Sequence, residues 1–189
     1  MNGEPATDLT GRLPVQGSQL NFVPMKKVFI LFISLFGALN ASAQEVPVSK
    51  IILVRHAEKA SDDPGDPSLS EKGKQRAVLL AALLKDVPVD AFYATPYKRT
   101  TQTIAVLAEA NGHKIQNYKP MDKANLAEIV QAGKGKTIVI AGHSNTVPPM
   151  VNTLIGKEEY PLMDDNDYGK IWILVFKGDK LVDRTVLNY

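Results

Sequence analysis

Two short runs in this 189-residue chain are apolar at nearly every position, Ile51-Ile52-Leu53-Val54 and Thr137-Ile138-Val139-Ile140-Ala141. A strand with one wet face alternates apolar and polar residues, whereas a continuously apolar strand has to be covered on both faces. Helices packed on a parallel sheet give that cover, so these runs narrow the chain to α/β architectures. The segments between them agree. Ser70 is placed to cap a helix whose Ala77, Leu80, Ala81 and Leu84 repeat at i, i+3, i+4, i+7. Val89–Ala94 reads as a second strand, broken by Thr95-Pro96. Tyr97–Ala110 reads as a second helix ending near Asn111-Gly112. Lys114–Tyr118 reads as a short strand and Lys123–Gln131 as a short helix stopped by Gly133. A helix after Asn145 runs to about Leu154, with Pro148-Pro149 in its first turn, where a missing N–H breaks no helical bond. Lys170–Phe176 and Lys180–Leu187 predict a hairpin around Gly178-Asp179.

The front of the chain does not join this pattern. Residues 1–24 are polar and aperiodic, and are read as a disordered upstream extension, either untranslated in the native protein or an unusual addition to it. Then Met25-Lys26-Lys27, an apolar run from Val28 to Leu39, and Ala41-Ser42-Ala43 follow in order. A short basic start, a short apolar run and a small-x-small site make the layout of a secretory signal peptide over residues 25–43. The apolar run is too short to span a bilayer. The expectation is an exported, periplasmic or secreted bacterial protein, mature from Gln44, with residues 44–189 as one domain. No cysteine follows the cleavage site, so no lipoprotein anchor and no lasting membrane attachment are expected.

Composition removes several classes of function. The formal charge is +2 and there is no basic stripe, so no nucleic-acid partner is expected. With no cysteine, disulfides, thiol nucleophiles and cysteine-based zinc sites are excluded. Three histidines, His56, His113 and His143, are too few and too scattered for a histidine-rich metal site.

In open α/β sheets ligands bind beyond the carboxyl ends of the strands. Arg55-His56 follows the first apolar run directly, Thr95 and Arg99 follow the second strand, and His143 follows Thr137–Ala141. Their chemistry suits a phosphoryl group. Two guanidiniums clamp its oxygens, His143 adds a donor, and the backbone N–H groups of Ser144 and Asn145 are expected to point at the anion where a helix opens. His56 is then the group able to attack phosphorus, because neutral imidazole is nucleophilic near pH 7.

These same residues carry a family resemblance. Leu53-Val54-Arg55-His56-Ala57-Glu58 resembles the Arg-His-Gly/Ala signature of the histidine phosphatase superfamily, the phosphoglycerate mutase-like proteins. Leu69-Ser70-Glu71-Lys72-Gly73-Lys74-Gln75-Arg76-Ala77, Thr95-Pro96-Tyr97-Lys98-Arg99-Thr100-Thr101-Gln102-Thr103 and Val139–Asn145 are similar to three further blocks of that family, in the same order. The resemblance implies a three-layer α/β/α sandwich and a covalent phosphohistidine on His56. Arg55, Arg99 and His143 would bind the phosphoryl group, and water would release phosphate. It implies no metal and no organic cofactor, and a phosphorylated small molecule or a phosphoprotein as substrate.

The family also uses an acid to protonate the leaving oxygen, commonly from an insertion that this chain lacks between Gly112 and Lys136. Glu58, Asp122 and Glu128 are the candidates. Asp164, Asp165 and Asp167 are within reach from a late loop that otherwise reads as a solvated turn, Lys59 is a further cation near the site, and His113 reads as surface. Trp172 is expected to pack in the sheet, with Tyr168 near the surface. The unidentified acid leaves a second reading open, a non-catalytic phospholigand-binding module on the same fold.

Overall fold

A computed structural model of the chain describes residues 45–189. The upstream extension, the signal peptide and Gln44 lie outside the described residues.

Six strands form one sheet: β1 (Val48–Arg55), β2 (Ala91–Ala94), β3 (Ile115–Asn117), β4 (Thr137–Gly142), β5 (Lys170–Lys177) and β6 (Lys180–Asn188). Their order is β3-β2-β4-β1-β5-β6. The first four are parallel, and β5 and β6 add an antiparallel edge beside β1. Four helices, α1 (Glu71–Leu83), α2 (Lys98–Ala110), α3 (Lys123–Ala132) and α4 (Val147–Ile155), follow β1 to β4 in turn.

The layers follow from the alternation of side chains along β1. Ile51 and Leu53 face a core completed by Leu126 and Ile129 of α3 and Met150 and Val151 of α4. Ile52 and Val54 face the opposite core, completed by Leu80 and Leu84 at α1 and by Ile104 and Leu107 of α2. Both faces are therefore dry, as the unbroken apolar runs require. The architecture is the expected three-layer α/β/α sandwich on a mostly parallel sheet.

Most element ends match the sequence pattern. The Ser70 hydroxyl accepts from the Gly73 N–H at 3.1 Å and caps α1. The second strand differs, beginning at Ala91 rather than Val89. The Val89 N–H goes instead to the Asn111 side chain, so that residue enters the core without joining the ladder. In α1, Gly73 rests on the backbone of Glu58, where a Cβ would lie 2.2 Å from the Glu58 carbonyl oxygen. Only glycine lets this turn approach the segment after β1 so closely.

Candidate active site

The parallel register sets Arg55 beside Gly142, and the His56 N–H donates to the Gly142 carbonyl at 2.8 Å. Arg55-His56 and His143 thus leave adjacent strands at the same end of the sheet. α2 brings Arg99 to this end, and the four side chains line one open cleft of about 810 Å³. The His56 and His143 rings meet edge to face at 5.3 Å.

His56 is almost fully buried, and its Nδ1 lies 2.8 Å from the Ala57 carbonyl oxygen. A carbonyl only accepts, so Nδ1 carries the hydrogen and neutral Nε2 is left with a free lone pair. Burial above all lowers the pKa of this ring to about 4. The Ala57 bond works the other way, and His143, Arg55 and Arg99 lower it further. The loop is braced from α2: Thr103 donates to the Arg99 carbonyl and accepts from the Ala57 N–H, and the Gln102 side chain accepts from Leu69 N–H.

Arg55 is 3% exposed and held from one side. Its Nη1 donates to the carbonyl oxygens of Asp164 and Asp167 at 2.7 and 2.8 Å, and its Nη2 to that of Asp165 at 3.0 Å. The guanidinium lies 4.1 Å from the centre of the Tyr168 ring. Three of the five N–H donors are thereby used, and Nε is buried without a partner. Nε and Nη2 share one edge of the guanidinium, the edge that pairs with an oxyanion. Arg99 differs. It stacks 4.4 Å from the centre of the Tyr97 ring and lies 3.8 Å from an Asp66 oxygen, its nearest carboxylate contact.

His143 Nε2 lies 2.9 Å from the Thr95 hydroxyl. Burial, then Arg99 and Arg55, bring its pKa down to about 4. Ser144 and Asn145 line the cleft but do not open the helix, which starts at Val147; they form the turn before it, with Thr146 accepting from the His143 N–H. Lys59 and Tyr168 line the same cleft. His113 is exposed, and Trp172 is buried in the core.

The three acid candidates need correction, because none of them lines the cleft. Glu58 turns to α1, where Arg76 Nε and Nη2 bind its two oxygens at 2.9 and 2.8 Å. This pairing is the main reason its pKa falls from 4.5 to about 2, so it holds no proton to give. Asp122 caps α3 by accepting from the N–H groups of Ala124 and Asn125. Glu128 lies exposed on α3 and accepts from the Asn125 side chain. The late acidic loop also differs from a solvated turn: the Asp165 side chain is exposed and that of Asp167 pairs with Lys170, but the loop's carbonyl oxygens grip Arg55. Among the described residues that line the cleft, Asp165 is the one carboxylate, and its side chain is 95% exposed. Also among the described residues, no group of three or more His, Cys, Asp or Glu side chains is placed to hold a metal ion.

The Glu58–Arg76 pair makes a testable contribution to stability. A depressed folded-state pKa stabilises the fold above the unfolded-state value and ceases to do so as pH falls through the folded one. Glu58→Gln is expected to cost about 2 kcal/mol at neutral pH. The gap between the two proteins should close between pH 4.5 and about 2, as followed by urea unfolding across pH.

Residues 51–125 match the histidine phosphatase superfamily (branch 1). Over 72 residues the chain is 43% identical to phosphoserine phosphatase 1 of Hydrogenobacter thermophilus, a match that covers 35% of this chain and 34% of that protein. The chain thus spans about a third of the length of this curated relative. Among solved structures, a protein histidine phosphatase SixA complexed with tungstate superposes with a TM-score of 0.59 at 16% identity, over 72% of this chain and 96% of the other. A phosphoserine phosphatase from Entamoeba histolytica, in complex with 3-phosphoglyceric acid, gives a TM-score of 0.56 at 18% identity, over 74% and 96%. At these identities the superpositions establish a shared fold.

Proposed function

Because residues 51–125 match the histidine phosphatase superfamily, we propose that this chain is a metal-independent phosphatase that hydrolyses phosphomonoesters through a phosphohistidine on His56. One observation carries the reading. The bond from His56 Nδ1 to the Ala57 carbonyl leaves Nε2 as a bare nucleophile, inside a pocket where two guanidiniums and a second imidazole await an anion. In the first step the Nε2 lone pair attacks phosphorus, an N–P bond forms and the P–O bond to the leaving group breaks. In the second, water attacks the same phosphorus, an O–P bond forms, the N–P bond to Nε2 breaks and phosphate leaves; the proton given up by water balances the one the leaving oxygen takes from solvent. Arg55 meets the equatorial oxygens with its free Nε edge, and Arg99 and His143 meet the remaining charge. The two guanidiniums are already in place before the substrate arrives.

Substrates of this reading are phosphorylated small molecules or phosphoproteins. An open cleft supports both, and phosphoserine phosphatases and a protein histidine phosphatase stand among the similar proteins. The proposal includes export to the periplasm or medium, on the strength of the layout of residues 25–43. No helix among the described residues is long and apolar enough to cross a membrane.

The test is hydrolysis of p-nitrophenyl phosphate by the full chain. The acid limb of kcat/KM is expected near pH 4, where His56 gains a proton and loses its lone pair, with activity lost below it. Metal chelators should leave the rate unchanged. One observation favours the second reading, a phospholigand-binding module: among the described residues the cleft holds no buried carboxyl group. Tight phosphate binding with no turnover on any ester would select it.

A further inference from the structure

Behind His143 runs a chain of hydrogen bonds that the reaction above does not use. From His143 Nε2 it passes to Thr95 Oγ1 at 2.9 Å and to Thr100 Oγ1 at 2.9 Å. It ends on the carbonyl oxygens of Thr95 and Tyr97, each 2.8 Å from Thr100 Oγ1. Both threonines are fully buried. Each hydroxyl has one hydrogen, so the closed end sets the direction of the whole chain. Carbonyls only accept, so Thr100 points its hydrogen at them. Its lone pair then receives the Thr95 hydrogen, and the Thr95 oxygen is left to accept from His143. Nε2 therefore carries the hydrogen of neutral His143. Nδ1, which makes no hydrogen bond among the described residues, presents a lone pair from a ring that lines the cleft. A lone pair facing a phosphoryl oxygen repels it.

We propose that Thr95 and Thr100 fix the tautomer of His143, so that binding a phosphate-like dianion loads one proton from solvent onto Nδ1. This rests on the phosphate-site reading above. One N–H bond forms at Nδ1, the Nε2–H bond to Thr95 is kept, and the imidazolium then donates to the anion. Thr95 is a positioning residue, acting through His143. The surroundings suit such loading. Burial above all, then Arg99 from α2 and Arg55 from β1, oppose a charge on His143 while the cleft is empty, and an entering dianion offsets the two arginines. His56 and the Tyr97 ring each lie 5.3 Å from the His143 ring, while Asp165 and Tyr168 line the cleft from the loop before β5, and Lys59 from the loop after β1.

The experiment is calorimetry of tungstate binding to the full chain at about pH 8, in buffers of different ionisation enthalpy. Tungstate brings no proton of its own at that pH. The unaltered protein should take up close to one proton per anion, with affinity falling about tenfold per pH unit. Thr95→Ser should behave alike. Thr95→Val removes the acceptor and lets neutral His143 place its hydrogen on Nδ1, so uptake should drop towards zero and the pH dependence flatten. Thr100→Val should do the same with Thr95 still present, because the freed Thr95 hydroxyl then donates to Nε2. A residue that merely packs would not give that result. Tungstate binding by the unaltered chain without proton uptake overturns the inference alone, as does full uptake in Thr95→Val. No tungstate binding at all overturns the phosphate-site reading and this inference with it.

Discussion

His56→Ala should lower turnover of p-nitrophenyl phosphate by about 10⁴-fold or more, since it removes the bare Nε2 that attacks phosphorus in this account. The fold should survive, because His56 makes one side-chain hydrogen bond and its ring leaves a cavity at the cleft floor rather than in either core. The measurement is steady-state kinetics beside thermal unfolding of the same preparations. Activity above about one per cent of the original in a folded variant would remove His56 from the role of nucleophile.

The second large effect concerns Arg55, which serves both the anion and the fold. Arg55→Met keeps the length of the stem but takes the guanidinium donors from the carbonyls of Asp164, Asp165 and Asp167, of which Asp164 keeps the Asp167 N–H. Loss of three charged hydrogen bonds to these partly buried carbonyls costs about 3 kcal/mol, and loss of a phosphoryl clamp costs about 10²–10³ in rate. Both losses are expected together, with faster hydrogen exchange across residues 164–167. Arg99→Met is the contrast. Its guanidinium makes no hydrogen bond to the protein among the described residues, so activity should fall by a similar factor with stability nearly unchanged. If Arg55→Met loses activity while that loop and the stability stay as they were, the carbonyl grip is not what holds the loop. Arg55→Lys should not restore the rate, because an ammonium cannot present the paired edge.

The contrast between these two arginines marks where sequence reasoning stops. Arg55, His56, Arg99 and His143 were legible because each follows a strand whose apolar run is itself legible, and a parallel sheet brings all such ends together. The layers were legible for the same reason. The grip on Arg55 was not, because main-chain carbonyls have no residue identity. Asp164–Asp167 therefore reads as a solvated acidic turn when its backbone is what matters. Glu58 misled by proximity. Two residues from His56 along the chain, it points out of the site, and its partner Arg76 lies 18 residues further on. The pairing does leave a trace, since Arg76 falls within the same helical block as Gly73, whose bare backbone brings α1 onto Glu58. Thr95 marked only a strand end in the sequence. Its hydroxyl bond to His143 depends on side-chain torsions that spacing does not encode.

The central claim is a covalent bond between His56 and phosphorus, and it is tested most directly by stopping the reaction within the first turnovers and analysing the intact chain by mass spectrometry and peptide mapping. The account predicts one added phosphoryl group, on His56, stable to alkali, lost in acid and absent from His56→Ala. A chain that hydrolyses the ester with no phosphoryl group on His56 at any time, or with one on another residue, would contradict it.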